Sequence, residues 1–257
     1  MKTKLALFLA LCLPACAQFN FFNALSTWKS ADTNFNPANY GTVIVWYAAR
    51  KESYSNGASV GTVTDWSGGG HNATQTNSSA KPTFQTNVVG GQSVFRFNGT
   101  TNFLNATFTS ADPMTAFIVW KSANPTKYSQ SILYGDSAQG NIYGSGGIST
   151  SGATLYSGSW LEVPFDTSSF VVMTCRQTSG TENSFINVNG LTSGTGTIGS
   201  GVSSSWVIGD IYDHSVDEFL QGDIAEIILY NGQIDNSGTM QAIEDALGAI
   251  YGITIMH

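Results

Sequence analysis

The chain has 257 residues, of which 42% are hydrophobic, only 11% are charged, and 28 are glycine. This length and apolar content suffice for one well-packed domain. The scarcity of Lys, Glu and Arg favours strands and turns over amphipathic helices. The formal net charge is −7 and no run of Lys or Arg occurs, which excludes the usual electrostatic signature of nucleic-acid binding and disfavours an anionic lipid surface.

The first seventeen residues have the pattern of an export signal. Two lysines precede an apolar core over residues 5–13, and Ala15-Cys16-Ala17 has the small-x-small form of a signal-peptidase site. The apolar run is too short to span a bilayer. We therefore expect a signal peptide cleaved near Ala17, with lipidation at Cys16 as the alternative.

The remaining sequence divides into an arm and a domain. Residues 1–17 are the expected signal peptide, residues 18–40 an N-terminal extension or attachment arm, and residues 41–257 a single folded domain. Cys175, which lies outside the leader in an apolar run, is expected to be a buried, inert thiol. No disulfide framework is available, so the apolar core alone must hold the fold.

Short apolar segments separated by Gly-, Ser- and Asn-rich stretches predict an all-β domain. Residues 42–47 and 114–121 are continuous β-branched and aromatic runs, typical of strands buried on both faces. Residues 93–97 alternate, with Phe95 and Phe97 on one face. Further strands are predicted at residues 131–134, 154–156, 170–175, 185–188, 206–210 and 219–230.

The last part of the chain carries turn and helix signals. Asn189-Gly190 follows a predicted strand and predicts a type I′ turn, in which both central residues need a positive φ. A final helix is predicted to begin near Ser237 and to end at Gly252, a normal C-cap residue. Its apolar residues recur at spacings of three or four and predict one stripe against the sandwich: Met240, Ile243, Leu247, Ile250 and Tyr251.

Several motifs, taken in chain order, resemble the concanavalin A-like, laminin G-like domains. Residues 222–230 (GDIAEIILY) and 251–253 (YGI) resemble the family's G-x-I-A-E-I-x-x-Y strand and its closing helix. Residues 65–73 and 81–84 are similar to its W-x-D-x-S-G-N-G-x-x-A and R/K-P-x-Y/F motifs, although Asp precedes Trp here and the loop is shorter. The resemblance covers residues 42–253 and implies an antiparallel jelly-roll β-sandwich with one short C-terminal α-helix.

The acidic residues do not match those of the glycan-cleaving branch of this superfamily, which carries E-x-D-x-x-E or E-x-D-x-E on one strand. No such triplet occurs, and no catalytic residue is expected. The nearest pair is Asp223 and Glu226, whose spacing predicts opposite faces of a strand. Glu226 is therefore interpreted as a structural residue, bonded to a neighbouring loop.

Two further motifs are interpreted as coincidences. Residues 194–199 match the dinucleotide fingerprint G-x-G-x-x-G, but the Ser- and Gly-rich stretch that follows cannot form the required helix. We interpret this segment as a flexible loop. A serine with His214 and Asp210 or Asp213 could form a nucleophilic triad, but serine is so common in this chain that chance explains the combination better.

Loop aromatics are the candidate ligand contacts, because sugar rings pack on aromatic faces while polar groups meet the hydroxyls. For each aromatic, packing under its own loop is the alternative. A rim calcium site built from Asp136, Asp210, Asp213 and Asp217 is possible in this family, against the alternative of solvated loop acids; no other cofactor is expected. The predicted ligand-binding residues are Tyr143, Tyr156, Trp160, Tyr212, Asp213 and His214, with Tyr54 and Tyr128 as further loop aromatics.

These observations predict a non-catalytic, exported binding module. Its expected partner is a glycan or surface polysaccharide, and its expected location is extracellular or surface-associated. The alternative is a structural or display protein of a virion, attached by its N-terminal arm to other virion or cell-surface proteins. A glycoside hydrolase is the least favoured interpretation.

Overall fold

The computed structural model describes residues 34–127, 129–136, 140–144, 151–179, 184–199, 201–214, 218–234 and 237–257. The expected signal peptide and most of the expected arm lie outside these ranges, so the predicted division of the chain stays a prediction. The strands and the helix are β1 (Val43–Ala48), β2 (Thr62–Val63), β3 (Ala73–Thr74), β4 (Thr83–Val89), β5 (Gln92–Asn98), β6 (Leu104–Thr107), β7 (Met114–Ser122), β8 (Ser131–Gly135), β9 (Asn141–Gly144), β10 (Gly152–Tyr156), β11 (Trp160–Pro164), β12 (Val171–Gln177), β13 (Ser184–Val188), β14 (Leu191–Gly196), β15 (Ser205–Ile208), β16 (Gln221–Asn231) and α1 (Ser237–Tyr251).

The strands form two antiparallel sheets. Sheet A has the order β14-β13-β12-β7-β16-β5-β4, with β1 paired to the second half of β16. Sheet B has the order β11-β10-β9-β8-β15-β6-β3-β2. The predicted fold class, an all-β antiparallel jelly-roll sandwich with one C-terminal helix, is confirmed.

Apolar side chains of both sheets meet between the layers. Trp120 and Phe97 of sheet A and Trp206 and Leu104 of sheet B are fully buried in this interior. They alternate along their strands with residues that point to the outer faces, because successive side chains of a strand project to opposite sides. Cys175 is buried in the same interior, which confirms the predicted buried thiol.

A third layer covers part of the outer face of sheet A. Helix α1 packs there through Ile243, Leu247 and Ile250, beside Phe35 from the segment before β1. This confirms the predicted apolar stripe and explains why β7 and β16 are buried on both faces. The helix ends at Tyr251, and Gly252 follows with φ +67°, as a C-cap glycine does.

The predicted turn between β13 and β14 is confirmed. Asn189 has φ +51° and Gly190 has φ +85°, so both central residues take the left-handed conformation. Strand β14 was not predicted: the interpretation of residues 194–199 as a flexible loop is wrong for residues 194–196, which pair with β13. No helix follows this strand within the described residues before β15, whereas a dinucleotide fingerprint opens a helix.

Glycines of β14 allow the edges of the two sheets to pack closely. A Cβ atom at Gly194 would lie 2.5 Å from Val163 Cγ2, and one at Gly196 would lie 3.3 Å from Leu161 Cδ1. Both contacts are with β11, the edge strand of sheet B. Gly194 and Gly196 therefore allow close packing between the two sheets.

The prediction that Asp223 and Glu226 lie on opposite faces of their strand is wrong. The register of β16 against β7 shifts between Ile224 and Glu226, which marks a β-bulge. The extra residue cancels one alternation, and both carboxylates project from the outer face of sheet A. Glu226 accepts hydrogen bonds from Trp46 and Tyr251, so its role is structural as predicted, but these partners belong to β1 and α1 instead of a loop.

The loop after β2 is organised by one buried carboxylate. Asp65 accepts hydrogen bonds from the backbone N–H groups of Trp46, Ser67 and His71, each at 3.0 Å. Burial alone would raise the pKa of Asp65, but these hydrogen bonds outweigh it and hold the pKa below its ordinary value. The carboxylate thus ties this loop to β1.

Replacing Asp65 by Asn is expected to lower the free energy of unfolding at neutral pH by about 1.5–3 kcal/mol, the contribution of hydrogen bonds to a charged group. Because the folded-state pKa is depressed, this stabilisation is present above the ordinary pKa of about 3.9 and is lost as the pH falls through the folded-state value. Urea unfolding of both proteins from pH 7 to pH 3 should show their difference shrinking with acidification. A constant difference would contradict this account.

Candidate ligand-binding surface

Four aromatic side chains form a continuous row on the outer face of sheet B. Tyr134, Tyr143, Tyr156 and Trp160 come from β8, β9, β10 and β11, and together we call them the aromatic surface. The ring centroids of Tyr134 and Tyr143 are 6.2 Å apart, those of Tyr143 and Trp160 5.8 Å, and those of Tyr156 and Trp160 4.3 Å. Four consecutive strands of one sheet thus contribute one ring each.

Alternation along the strands places these rings outside the core. Ile142, Leu155 and Leu161 belong to the interior between the sheets. Their sequence neighbours Tyr143, Tyr156 and Trp160 therefore project to the opposite face. The register reinforces the arrangement, because Tyr156 lies directly opposite Trp160 in the antiparallel pair β10–β11 and cross-strand neighbours make side-chain contact.

The four rings differ in accessibility. Trp160 is 49% exposed, whereas Tyr143 is only 6% exposed and packs against the rings of Tyr134 and Trp160. Tyr134 and Tyr156 are half-buried. An exposed indole held in place by buried or half-buried phenol rings provides a rigid apolar face of the kind that ligands with C–H surfaces use.

Acidic side chains border the aromatic surface. Burial raises the pKa of Tyr134, and the nearby carboxylates of Glu218 and Asp213 raise it further. Burial likewise raises the pKa of Tyr143, with Glu218 again adding to the shift. Phenol hydroxyls that stay protonated at neutral pH can donate hydrogen bonds. The site therefore combines apolar ring faces with phenol donors, and nearby carboxylates give it a negative electrostatic environment.

The structure brings together three of the four predicted aromatics, but it corrects their placement. The prediction that Tyr143 and Trp160 lie in loops is wrong, since they belong to β9 and β11. Tyr156 is the last residue of β10. Sequence analysis missed Tyr134 as a site residue, although the alternating segment Leu133-Tyr134-Gly135 sits at the end of a predicted strand.

The predicted residues that follow β15 have separate surroundings. Tyr212 is 62% exposed, and Asp213 borders Tyr134 electrostatically. His214 stacks on Phe103 with ring centroids 4.1 Å apart, and its Nδ1 lies 2.7 Å from Asp210 Oδ2. His214 is thus held in a structural pair.

The Asp–His pair does not complete a nucleophilic triad among the described residues, where no Ser hydroxyl is hydrogen-bonded to His214. Burial raises the pKa of Asp210, and the hydrogen bond from His214 opposes this only in part. In the serine-hydrolase arrangement the histidine links the acid to a nucleophile. Among the described residues, the hydrogen bond of His214 to Asp210 is not continued to a serine hydroxyl.

The remaining predicted positions are explained by local packing or lie outside the described residues. Asp136 accepts hydrogen bonds from Ser204 and Ser205 at the start of β15. Tyr54 donates its hydroxyl to the Thr62 carbonyl and packs on Phe84. Tyr128 and Asp217 lie outside the described residues.

No metal-binding constellation is found in the described part of the chain, where no three His, Cys, Asp or Glu side chains converge. Calcium binding at Asp136, Asp210 and Asp213 stays a prediction. Over the same described residues, none of the helices is long and apolar enough to cross a membrane.

Solved structures share this sandwich at low sequence identity. Domain 4 of AbnA, an extracellular GH43 arabinanase from Geobacillus stearothermophilus solved with arabinotriose, aligns with a TM-score of 0.57 and 15% identity over 78% of this chain and 97% of that domain. An arabinofuranosidase complexed with arabinofuranosyl-α-1,2-xylobiose aligns with a TM-score of 0.58 and 13% identity over 84% of this chain and 65% of the enzyme. At such identities the likeness establishes the β-sandwich fold.

A third structure of the same fold is botulinum neurotoxin type C, whose uptake into cells depends on interaction with two ganglioside molecules. It aligns with a TM-score of 0.58 and 12% identity over 82% of this chain. The present chain spans about half of that protein, 53%, in contrast to nearly all of the arabinanase domain. No protein-family model matches the sequence, and no curated protein sequence matches it.

Proposed function

We propose that the chain is an exported, non-catalytic module of the laminin G-like, concanavalin A-like type, and that it binds glycans through the aromatic surface. The convergence of Tyr134, Tyr143, Tyr156 and Trp160 on one outer face carries this proposal. Sugar rings present C–H patches that pack on aromatic faces, and their hydroxyls accept or donate hydrogen bonds at the rim. The charges of Glu218 and Asp213 act on Tyr134 of this surface.

Two further observations support a binding role over a catalytic one. Asp223 is held by Arg96 and Glu226 by Arg50, so both carboxylates of β16 already serve as structural ion pairs. Glycan hydrolysis needs two carboxyl groups free to act on either side of a glycosidic bond. In addition, structural neighbours of this chain include domains solved with arabinotriose and with a substituted xylobiose.

Replacing Trp160 by Ala is expected to weaken glycan binding about 10- to 100-fold, as for an exposed aromatic at the centre of a contact. The purified domain would first be applied to an array of neutral plant and microbial oligosaccharides, and the best ligand would then be titrated calorimetrically. Trp66 provides a matched control, because it is also a partly exposed indole, 38% accessible, and lies outside the aromatic surface.

The outcome separates the proposed function from its alternative. Trp66→Ala should retain the affinity of the unchanged protein, while Trp160→Ala should lose it without a change in stability. If the unchanged protein binds no oligosaccharide of the array, the glycan-binding proposal is overturned and a display protein of a virion is favoured. If both variants lose the same amount of affinity, the aromatic surface is not the binding site.

A further inference from the structure

A row of charged side chains crosses the outer face of sheet A, on the other side of the sandwich from the aromatic surface. The strand register places Arg96 of β5 directly opposite Asp223 of β16, and Asp223 directly opposite Lys121 of β7. Thr83 of β4 continues the row beside Arg96. Residues paired in this way share a face, so a carboxylate stands between two cations.

Asp223 holds one of these cations in a fixed orientation. Its oxygens accept hydrogen bonds from Arg96 Nε at 2.7 Å and from Arg96 Nη2 at 2.9 Å, while Lys121 Nζ lies 3.9 Å away. The Asp223 side chain is 2% exposed, whereas that of Arg96 is 46% exposed. The buried acid therefore pre-organises an accessible guanidinium.

The row lines a cavity of about 600 Å³. This volume falls within the ~300–1,000 Å³ typical of small-molecule sites. Lys81 is the third basic residue that lines the cavity, with its Nζ beside Gly61 at the edge, and Asp223 is the one acid among the lining residues. Three positive charges against one negative charge leave an excess of two, in a chain whose formal net charge is −7.

The two lysines have different surroundings. Asn102 Nδ2 fixes the backbone of Lys81 by donating to its carbonyl at 2.9 Å, and Lys81 Nζ lies beside Gly61. Lys121 Nζ lies 5.1 Å from the ring centroid of Phe170. Its ammonium group thus lies near both the Phe170 ring and the Asp223 carboxylate.

We propose that this cavity binds an oxyanion group of a small ligand, such as the carboxylate of an acidic sugar, a sulfate ester or a phosphate ester. Arg96 and Lys121 would face the anion from the sheet and Lys81 from the loop before β4. A negatively charged group gains from all three cations, whereas a neutral sugar gains nothing from the excess charge. This inference is independent of glycan binding at the aromatic surface.

The test compares charged and neutral probes on the intact chain. An oligogalacturonide, a sulfated oligosaccharide, inorganic phosphate and a neutral oligosaccharide of equal length would each be titrated calorimetrically. We expect at least one of the three anions to bind, with an affinity that falls as salt is added, and the neutral probe to give no binding at this site. The anion that binds most tightly identifies whether the site prefers a carboxylate, a sulfate or a phosphate group.

The variant Lys81→Gln/Lys121→Gln keeps the Arg96–Asp223 pair and should weaken binding of the anion by about tenfold or more, the order expected when charge contacts to a ligand are removed. Lys51→Gln is a control for loss of positive charge elsewhere on the surface, by one charge against the two of the double variant, since Lys51 lies over the rings of Trp46 and Trp66 outside the cavity. It should bind the anion like the unchanged protein.

The aromatic surface must behave independently. Trp160→Ala should leave anion binding unchanged, and the double lysine variant should leave neutral-glycan binding unchanged. If no anion binds, if Lys51→Gln weakens binding as much as the double variant, or if Trp160→Ala abolishes anion binding, the cavity is not the site and the inference is overturned.

Discussion

Replacing Glu226 by Ala is expected to lower the free energy of unfolding by about 3–5 kcal/mol, because it removes one partner of a buried ion pair. The Glu226 carboxylate is fully buried. It accepts hydrogen bonds from Trp46 Nε1 and Tyr251 Oη, both at 2.6 Å, and from Arg50 Nε at 3.0 Å. The loss would leave the Arg50 charge and the indole N–H without their acceptor.

The size of this effect follows from what the carboxylate joins. Trp46 belongs to β1, Arg50 to the turn that follows it, and Tyr251 to the end of α1. One side chain on β16 therefore ties the first strand and the last helix to the middle of sheet A. The β-bulge beside Ile224 is what turns Glu226 toward these partners.

Urea unfolding of Glu226→Ala and Glu226→Gln would measure the effect and divide it into parts. The Gln variant retains one acceptor oxygen but removes the charge, so it should lie between the Ala variant and the unchanged protein. Glu162→Ala is the matched control, since Glu162 is an exposed residue of β11. A loss below 1 kcal/mol for Glu226→Ala, where about 3–5 kcal/mol is expected, would show that the network contributes little.

Replacing Gly209 by Ala is expected to lower the free energy of unfolding by about 2–5 kcal/mol through two separate causes. Gly209 has φ +85°, a conformation that L-residues adopt only with strain. A Cβ atom there would also overlap the buried ring of Phe97. The residue opens the loop that carries Asp210, Tyr212 and His214, so its conformation directs that loop.

A second glycine separates these causes. Gly232 has φ +98° but no atom within 4 Å of an added Cβ. Gly232→Ala should therefore show the backbone cost alone, about 1–2 kcal/mol, and the excess in Gly209→Ala reports the overlap with Phe97. Adding Phe97→Leu should recover part of this excess. Equal losses at the two glycines, measured by urea unfolding, would contradict the steric contribution.

The fold was predictable because the most buried strands are continuous apolar runs. The segments that became β7 and β16 are covered by sheet B on one face and by the outer layer on the other. Their apolar content is therefore higher than that of loops. Among the strands that escaped prediction are polar or glycine-rich ones, such as β9 and β14. Their sheet conformation depends on pairing with neighbours far away in the chain.

The candidate site was predictable in composition but not in geometry. Tyr143, Tyr156 and Trp160 were identified by residue type, yet only the order of β9, β10 and β11 in sheet B brings their rings together. The β-bulge near Glu226 cannot be recognised from the sequence, because a pattern of period two assumes a regular strand. A single inserted residue reverses the face of every later side chain, so the prediction for Asp223 and Glu226 failed there.

The close approach of Gly194 and Gly196 to Leu161 and Val163 has a consequence for recognition. Trp160 is the first residue of β11, and the inner side of that strand rests on the hydrogen atoms of two glycines in the other sheet. A bulkier residue at either glycine would push β11 outward and displace the Trp160 indole. The position of an indole in the proposed binding surface thus depends on small residues of a strand in the other sheet.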